Sequence, residues 1–242
     1  MTWPQHIDDV LAFYYLSGLL CFLTFLCLSK YFKDIWRSTL VVHGKVTTKT
    51  VRTGIWRVPK SLFTDFYALG LLFSAAILRL DAPQEVILLL HLARRYLETL
   101  GWPYSRYSKM HLVHALVGLS YYPVLVLSMV SAAHDFQMRP WHTAFIVLAS
   151  LVQSYSHLQL YRARGRRTMQ YVPMSDRNPL FRLILCPHYL MEVVIYGILA
   201  IASQGSFLMC LNFVFVAANL SITAQSTRTW YQDHFPQGAT LN

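Results

Sequence analysis

Ionisable side chains lie inside two apolar segments that approach the length of a membrane span. The segments read EVILLLHLARRYLETLGW (85–102) and LILCPHYLMEVVIYGILAIA (183–202). Burying a charged group at bilayer depth costs several kcal/mol, roughly 2.5–3.5 on insertion scales. Such groups therefore more often line a functional site than occur without a function. The groups concerned are His91, Arg94, Arg95, Glu98, His188 and Glu192.

The chain as a whole is too apolar for an ordinary soluble domain. Of its 242 residues, 55% are hydrophobic and 13% are charged, and the mean hydropathy is +0.37, which favours an integral membrane protein. A helix needs about 20 residues to cross about 30 Å of hydrocarbon. We therefore predict one all-α domain over residues 1–242, a bundle of seven transmembrane helices. The predicted spans are 9–29, 62–80, 85–101, 111–132, 141–160, 180–202 and 207–227.

The Lys and Arg residues predict the orientation of this bundle. Nineteen of the 21 lie in segments 30–60, 94–109 and 162–182 or at Arg228, and seven spans place all of these on one face. Basic residues gather on the cytosolic side of membrane proteins, so the N-terminus is predicted to be lumenal and the C-terminus cytosolic. Nucleic acid is not expected as a partner, because the basic residues border spans and do not line a soluble fold.

Polar residues recur at helical spacing within the predicted spans. Residues three, four or seven positions apart share one helix face, and this spacing relates His91, Arg94 or Arg95, and Glu98. Two other spans carry polar pairs four residues apart, Gln153 with His157 and His188 with Glu192. In the predicted topology all of them lie in the cytosolic half, which favours one cavity open to the cytosol. The alternative is a set of self-neutralised ion pairs and ordinary interior histidines.

The residue types narrow what such a cavity could hold. Spacings such as HExxH do not occur, and a zinc site has no use for the surplus arginines, so no metal is expected. No GxGxxG follows a strand, and no serine nucleophile motif stands out. The stretch YRARGRRTMQ (161–170) suits an anionic ligand, since arginine grips phosphate through two parallel hydrogen bonds. A phosphorylated nucleotide at the mouth and a lipid in the embedded part fit this composition.

Several stretches carry a resemblance to known proteins. They read VPKSLFTDFY (58–67), HLARRYLE (91–98), VQSYSHLQL (152–160) and CPHYLMEVVIY (186–196), with a weaker match in STRTWYQDHF (226–235). Together they resemble the steroid 5α-reductase family and, within it, the polyprenol reductase branch. The resemblance implies a seven-helix bundle in the endoplasmic reticulum membrane, NADPH as hydride donor and a long-chain polyprenoid substrate among membrane lipids. It implies saturation of the α-isoprene double bond on the route to dolichol, the carrier for protein N-glycosylation.

The resemblance also assigns roles to matched positions. Arg95 and Glu98 would border the nicotinamide and the substrate. The resemblance does not decide which residue donates the proton. The candidates are His91, Tyr96, Tyr189 and Asp65. The phosphates would be held by Arg162, Arg164 and Arg166. The other nucleotide contacts would be Gln153, His157, His188, Glu192, Asn219, Arg228 and Tyr231.

Two positions depart from the steroid-reducing members of the family, which grip the steroid ketone with a Glu and a Tyr. The matching residues here are Phe66 and Leu92, so steroid reduction by those groups is not expected. The residues leave open whether an alcohol or an aldehyde is reduced, but chemistry favours the aldehyde, because hydride addition then develops charge on a carbonyl oxygen. The alternatives are a steroid or enoyl-CoA reductase, an isoprenylcysteine-type methyltransferase, and a non-catalytic lipid-binding or transport protein.

Overall fold

The computed structural model describes residues 5–29, 57–104, 108–164 and 178–234, and most of these are helical. The helices are α1 (Gln5–Ser29), α2 (Leu62–Ala76), α3 (Pro83–Gly101), α4 (Leu112–Ser131), α5 (Pro140–Arg164), α6 (Pro179–Leu183), α7 (Pro187–Ala202) and α8 (Phe207–His234). The remaining elements are the strands β1 (Arg57–Pro59) and β2 (Lys109–His111) and a 3₁₀ turn (Ala133–Asp135). The prediction of a mostly helical protein is confirmed, and the short ribbon of two strands was not predicted.

Within the described part of the chain, two helices are long and apolar enough to cross a membrane by length and composition. They are α4 and the Phe207–Thr229 part of α8. Helices α2 and α7 are also apolar but have only 15 and 16 residues, or about 23–24 Å at the rise of an α-helix. The number of spans and the orientation of the termini stay predictions. The long basic loop predicted before α2 lies largely outside the described residues.

Prolines set the starts of four helices. The first residues of α3, α5, α6 and α7 are Pro83, Pro140, Pro179 and Pro187. A proline suits this position because its fixed φ matches the helix and because its missing N–H would have no partner in the first turn. The same residue type therefore explains why these helices begin where they do.

The predicted span 180–202 does not form one continuous helix, because it is divided at Pro187. Cys186, the residue before the proline, has φ −128° and ψ 66°. A proline disfavours the helical conformation in the residue before it. Helix α6 therefore ends before Cys186, and α7 begins at Pro187. The break places His188 in the first turn of α7 and Glu192 in the second.

The helices pack so that distant parts of the sequence become neighbours. Helix α5 lies against α7, α2 lies against α3 and α4, and α8 lies against α7 and α1. The strands pair antiparallel with Val58 opposite Met110, which ties the start of α2 to the start of α4. The core between the helices is aromatic at its centre, where Tyr121 and Phe215 stack with ring centroids 5.9 Å apart.

The turns between the longer helices alternate between two ends of the bundle. At the end opposite the β1–β2 ribbon, the backbone N–H of Gln137 donates to the carbonyl of Ala202 at 2.7 Å. The carboxylate of Asp8, near the start of α1, accepts from Ser131 at the end of α4. Helix α1 therefore begins at the end where the α4–α5 and α7–α8 turns lie. The topology predicted from the Lys and Arg residues requires this alternation of turns between the two ends.

A close contact between α2 and α4 leads to a test of the packing. A Cβ atom added to Gly118 would overlap the ring of Phe66, which is itself buried. We expect Gly118→Ala to lower the free energy of unfolding by about 1–3 kcal/mol, the usual effect of overpacking a core. Thermal unfolding in detergent micelles measures this change.

The matched control is Gly101→Ala, because among the described residues no atom outside its own helix backbone and chain neighbours lies within 4 Å of the Cβ position there. Alanine favours a helix over glycine, so the control should unfold at the same temperature or slightly higher. A Gly118→Ala variant as stable as the control would contradict the close approach of α2 and α4.

Candidate active site

Side chains from α2, α3, α5 and α7 meet in one buried set of polar contacts, here called the polar network. Gln153 is 1% exposed, and the arginine and carboxylate at its centre are less than a tenth exposed. Buried polar groups need partners, because an unpaired one loses its hydrogen bonds to water. The members are Tyr67, His91, Arg94, Arg95, Glu98, Gln153, Ser154, His157 and Glu192.

Glu98 is the centre of one half of the network. Helical spacing brings Arg94 and Arg95 of its own helix to its carboxylate, with Arg94 Nη1 at 2.5 Å from Oε1 and Arg95 on Oε2. From α5, Ser154 donates to Oε1, and His157 Nδ1 lies 2.9 Å from Oε2. Both oxygens of the carboxylate therefore have partners from two helices.

Gln153 joins the two halves of the network. Its Oε1 accepts from Arg94 Nη2 at 2.5 Å. Its Nε2 donates to the carboxylate of Glu192 and, at 3.3 Å, to the carbonyl of His188. One amide on α5 thus connects a guanidinium on α3 with a carboxylate on α7. The side chain uses its acceptor and its donor at once, which no carboxylate could do.

The neighbours of His91 specify its tautomer. Its Nδ1 lies 3.3 Å from Arg94 Nη2, and a guanidinium can only donate, so Nδ1 accepts. The proton of the neutral ring then sits on Nε2, which lies 3.5 Å from Glu192 Oε1. Within the described part of the chain, neither His91 Nε2 nor Arg94 Nε has a hydrogen-bond partner. Two buried donors of the network are therefore left for a ligand.

His157 sits between a donor and an acceptor. Its Nδ1 lies 2.6 Å from Arg95 Nη1 and 2.9 Å from Glu98 Oε2. In one tautomer the ring accepts from the guanidinium, and in the other it donates to the carboxylate. The ring also packs 5.3 Å from that of His188 at the start of α7. The imidazole can therefore respond to a change in its surroundings by moving its proton from one ring nitrogen to the other.

The formal charges of the network balance. Arg94 and Arg95 carry two positive charges, Glu98 and Glu192 carry two negative ones, and neutral imidazoles add none. Buried charges are stable when they are paired, and an unpaired one is strongly destabilising. A neutral ligand group with donors and acceptors can enter this site without disturbing the balance, whereas a phosphate would bring uncompensated charge. The phosphates of a nucleotide must then be held elsewhere.

Comparison with known proteins identifies the family. The chain matches the family described as 3-oxo-5-alpha-steroid 4-dehydrogenase over residues 112–240. It is 32% identical over 200 residues to the polyprenal reductase of Saccharomyces cerevisiae, which covers 80% of this chain and 75% of that protein. The chain belongs to the 3-oxo-5-alpha-steroid 4-dehydrogenase family. The family resemblance read from its motifs is thus confirmed.

Two more distant relatives bear similar names. The chain is 26% identical over 170 residues to the polyprenal reductase of Caenorhabditis elegans, which covers 63% of this chain and 55% of that protein. It is 27% identical over 202 residues to polyprenal reductase 1 of Arabidopsis thaliana, with 65% and 62% covered. The chain therefore spans less than two thirds of the length of these two relatives and three quarters of the yeast protein.

The structure brings together three of the six residues predicted to be catalytic and three of the predicted nucleotide contacts. His91, Arg95, Glu98, Gln153, His157 and Glu192 belong to the polar network, and His188 borders it. The other candidate proton donors lie apart from its centre. Asp65 is exposed in the first turn of α2, and Tyr96 packs against the hydrophobic core. Tyr189 lies against the ring of His188, with centroids 4.1 Å apart.

The residues predicted to hold the rest of the nucleotide are spread along the ends of α5 and α8. Arg162 is exposed in the last turn of α5. The side chain of Arg164 and the whole of Arg166 lie outside the described residues. On α8, Asn219 and Tyr231 are half-buried and Arg228 is exposed. Their roles in binding stay predictions.

Tyr67 and Ser154 are members of the network to which the sequence assigned no catalytic or binding role. Ser154 precedes His157 by three positions, so these two residues share a helix face. That spacing was a usable signal, but a serine in an apolar helix most often bonds its own backbone. Tyr67 joins through Arg95 Nη2, which donates to its hydroxyl at 2.9 Å. No spacing within α2 could have revealed this contact between two helices.

The two positions that match the ketone-binding residues of steroid-reducing relatives are apolar and inaccessible. Phe66 is 3% exposed and Leu92 is 0% exposed, and both belong to the hydrophobic core. Neither side chain has a hydrogen-bonding group to offer a carbonyl oxygen. The expectation that these residues do not grip a steroid ketone agrees with their packing.

The position of Glu98 leads to a prediction about stability. Glu98→Gln removes the charge that Arg94 and Arg95 share, and breaking a buried ion pair on one side costs about 3–5 kcal/mol. We expect the free energy of unfolding in detergent micelles to fall by this order.

Glu85→Gln is the matched control, since the carboxylate of Glu85 pairs with Arg79, whose side chain is 49% exposed and can turn to water. The control should lose much less stability than Glu98→Gln. Equal losses in the two variants would show that the network does not depend on the charge of Glu98.

Proposed function

We propose that this protein is an NADPH-dependent reductase that saturates the α-isoprene double bond of a polyprenal. The reaction would be a step in the synthesis of dolichol for protein N-glycosylation, carried out in the endoplasmic reticulum membrane. The observation that carries the proposal is the buried, charge-balanced polar network in a chain similar to polyprenal reductases over most of its length. Family membership alone would leave the substrate open.

The polar network suits the nicotinamide end of NADPH. A carboxamide presents one acceptor and two donor hydrogens, and His91 Nε2 and Arg94 Nε are buried donors with no hydrogen-bond partner in the described residues. A neutral carboxamide also leaves the balance of charges intact. A reduced nicotinamide supplies a hydride when bound, and the protein supplies orientation and a dry environment.

The phosphates and the adenosine half would lie beyond the network. Arg162, Arg164 and Arg166 are proposed to hold the phosphates, since α5 leads from Gln153 directly to this basic stretch at its end. Asn219, Arg228 and Tyr231 are proposed as further nucleotide contacts on α8. Arg162 is exposed and lies outside the charge-balanced network, where additional negative charge is favourable.

The residues of the site would act by binding and orienting. Glu98 holds the guanidinium groups of Arg94 and Arg95 in place, and Gln153 fixes the carboxylate of Glu192. Polar groups held in this way need not rearrange when charge develops on the substrate, which is the usual source of electrostatic stabilisation in enzymes.

The test is turnover by the purified protein in detergent micelles. With NADPH and polyprenal, we expect an α-saturated aldehyde, detected by mass spectrometry. With polyprenol in place of polyprenal, we expect no saturation, because an isolated allylic alkene has no oxygen on which charge can develop. Replacing NADPH by S-adenosylmethionine tests the methyltransferase alternative. A protein that binds NADPH but leaves polyprenal unchanged would overturn the proposed substrate.

A single substitution tests the place of the nicotinamide. Glu192→Gln removes a charge that faces His91 and accepts from Gln153. A hydrogen bond to a charged group contributes about 1.5–3 kcal/mol, so the dissociation constant of NADPH should rise by about tenfold to a hundredfold. Titration of NADPH fluorescence measures this constant.

Glu85→Gln is the control for this experiment too, because Glu85 pairs with Arg79 at the end of the bundle opposite the ribbon. Its NADPH affinity should equal that of the wild type. An unchanged affinity in Glu192→Gln would place the nicotinamide away from the polar network.

A further inference from the structure

Tyr67 brings a neutral hydroxyl from α2 into the polar network. Its side chain is 6% exposed, and its oxygen accepts from Arg95 at 2.9 Å from Nη2 and 3.3 Å from Nε. The guanidinium also lies 4.8 Å from the centre of the phenol ring. A hydroxyl can donate one hydrogen bond while it accepts others. The Tyr67 hydroxyl can therefore donate a hydrogen bond to another group.

The guanidinium makes this hydroxyl a better donor. Two N–H groups of a cation draw electron density from the phenol oxygen, and hydrogen bonds in a chain strengthen one another in a buried environment. Arg95 is itself held by Glu98, so it cannot turn away from Tyr67 without losing its charge partner. The phenol is thereby presented in a fixed direction.

Tyr67 stands at the boundary between polar and apolar surroundings. On one side is Arg95, and on the other is Tyr122, whose ring centroid lies 5.1 Å from that of Tyr67. Phe66 and Leu92, the neighbours of this pair in the hydrophobic core, offer only apolar surface. A molecule with one polar oxygen at the end of a long hydrocarbon chain matches such a boundary.

Apart from His91 Nε2 and Arg94 Nε, which are proposed to face the nicotinamide, the arginine donors of the network are engaged by the protein. Arg94 donates to Glu98, Gln153 and Ser154 through its Nη atoms. Arg95 contacts Glu98, His157 and Tyr67. A ligand oxygen that accepts from the neutral hydroxyl of Tyr67 would separate no pair of opposite charges.

We propose that Tyr67 donates a hydrogen bond to the aldehyde oxygen of the polyprenal, with Arg95 as its positioning residue. This inference rests on the proposed function. In this reaction the reduced nicotinamide would supply a hydride to the β-carbon of the enal, and the alkene electron pair would shift so that negative charge develops on the carbonyl oxygen. The Tyr67 hydroxyl stabilises that charge, and the α-carbon then takes a proton from solvent, which gives the saturated aldehyde.

The test compares Tyr67→Phe with the wild-type protein in detergent micelles, using NADPH and polyprenal. Removing one donor to a developing oxyanion typically lowers kcat by about a hundredfold to a thousandfold, and we expect a loss of this size. NADPH binding, measured by fluorescence, should stay within about twofold of the wild-type value, because the other contacts of the network remain.

Tyr15→Phe is the matched control. Tyr15 is 0% exposed and its hydroxyl lies 3.3 Å from Ser128 Oγ, in the core between α1 and α4. The same atom is thus removed from a buried, hydrogen-bonded tyrosine outside the polar network. This variant should keep the kcat of the wild type, which separates loss of a catalytic hydroxyl from general loss of packing.

The outcomes are distinguishable. A wild type that binds NADPH but does not reduce polyprenal overturns the proposed function and this inference with it. An active wild type with a Tyr67→Phe variant of equal kcat overturns the role of Tyr67 alone. If Tyr67→Phe does not bind NADPH, 3-fluorotyrosine at position 67 keeps the ring and changes the acidity of its hydroxyl. A changed kcat with unchanged NADPH affinity then supports the proposal, and an unchanged kcat overturns it.

Discussion

The pairing of Glu98 with the two arginines of its own helix is the interaction on which the rest of the site depends. Helical spacing alone brings Arg94 and Arg95 to the two oxygens of one carboxylate, so this cluster forms as soon as α3 forms. Three charges on one helix cannot remain buried without further partners. Helices α5 and α7 provide them, and the docking of these helices is therefore coupled to the formation of the site.

The charge balance of the polar network also distinguishes two regions of the proposed cofactor site, one for the nicotinamide and one for the phosphates. Glu192 supplies the second negative charge of the network, and Gln153 carries the connection without adding a charge of its own. The buried centre is proposed to accept a neutral carboxamide, and the highly charged phosphates are proposed to bind the arginines of the sequence stretch 161–170. This division follows from the cost of burying an unpaired charge. It gives a physical reason why the buried network has no net charge while the sequence stretch 161–170 is strongly basic.

Much of the fold and part of the site could be predicted from local patterns. Apolar length predicted where the longer helices lie, and prolines marked the starts of several of them. The expectation of a continuous helix through Pro187 was wrong because the constraint on Cys186, the residue before the proline, outweighed the apolar pattern around it. Ser154 and Tyr67 were missed for another reason. Their importance comes from partners on a different helix, and periodicity within one helix contains no information about such partners.

By itself the sequence determined the helical class, the self-paired cluster on α3 and the family, since these depend on composition, spacing and motifs that neighbouring residues carry. Only the tertiary structure decided that α5 lies against α7, that Gln153 reaches both Arg94 and Glu192, and that Arg95 holds the hydroxyl of Tyr67. These contacts depend on how closely the helix backbones approach and on which faces they turn toward one another. That is settled by the packing of the whole core, which residues distant in sequence build together.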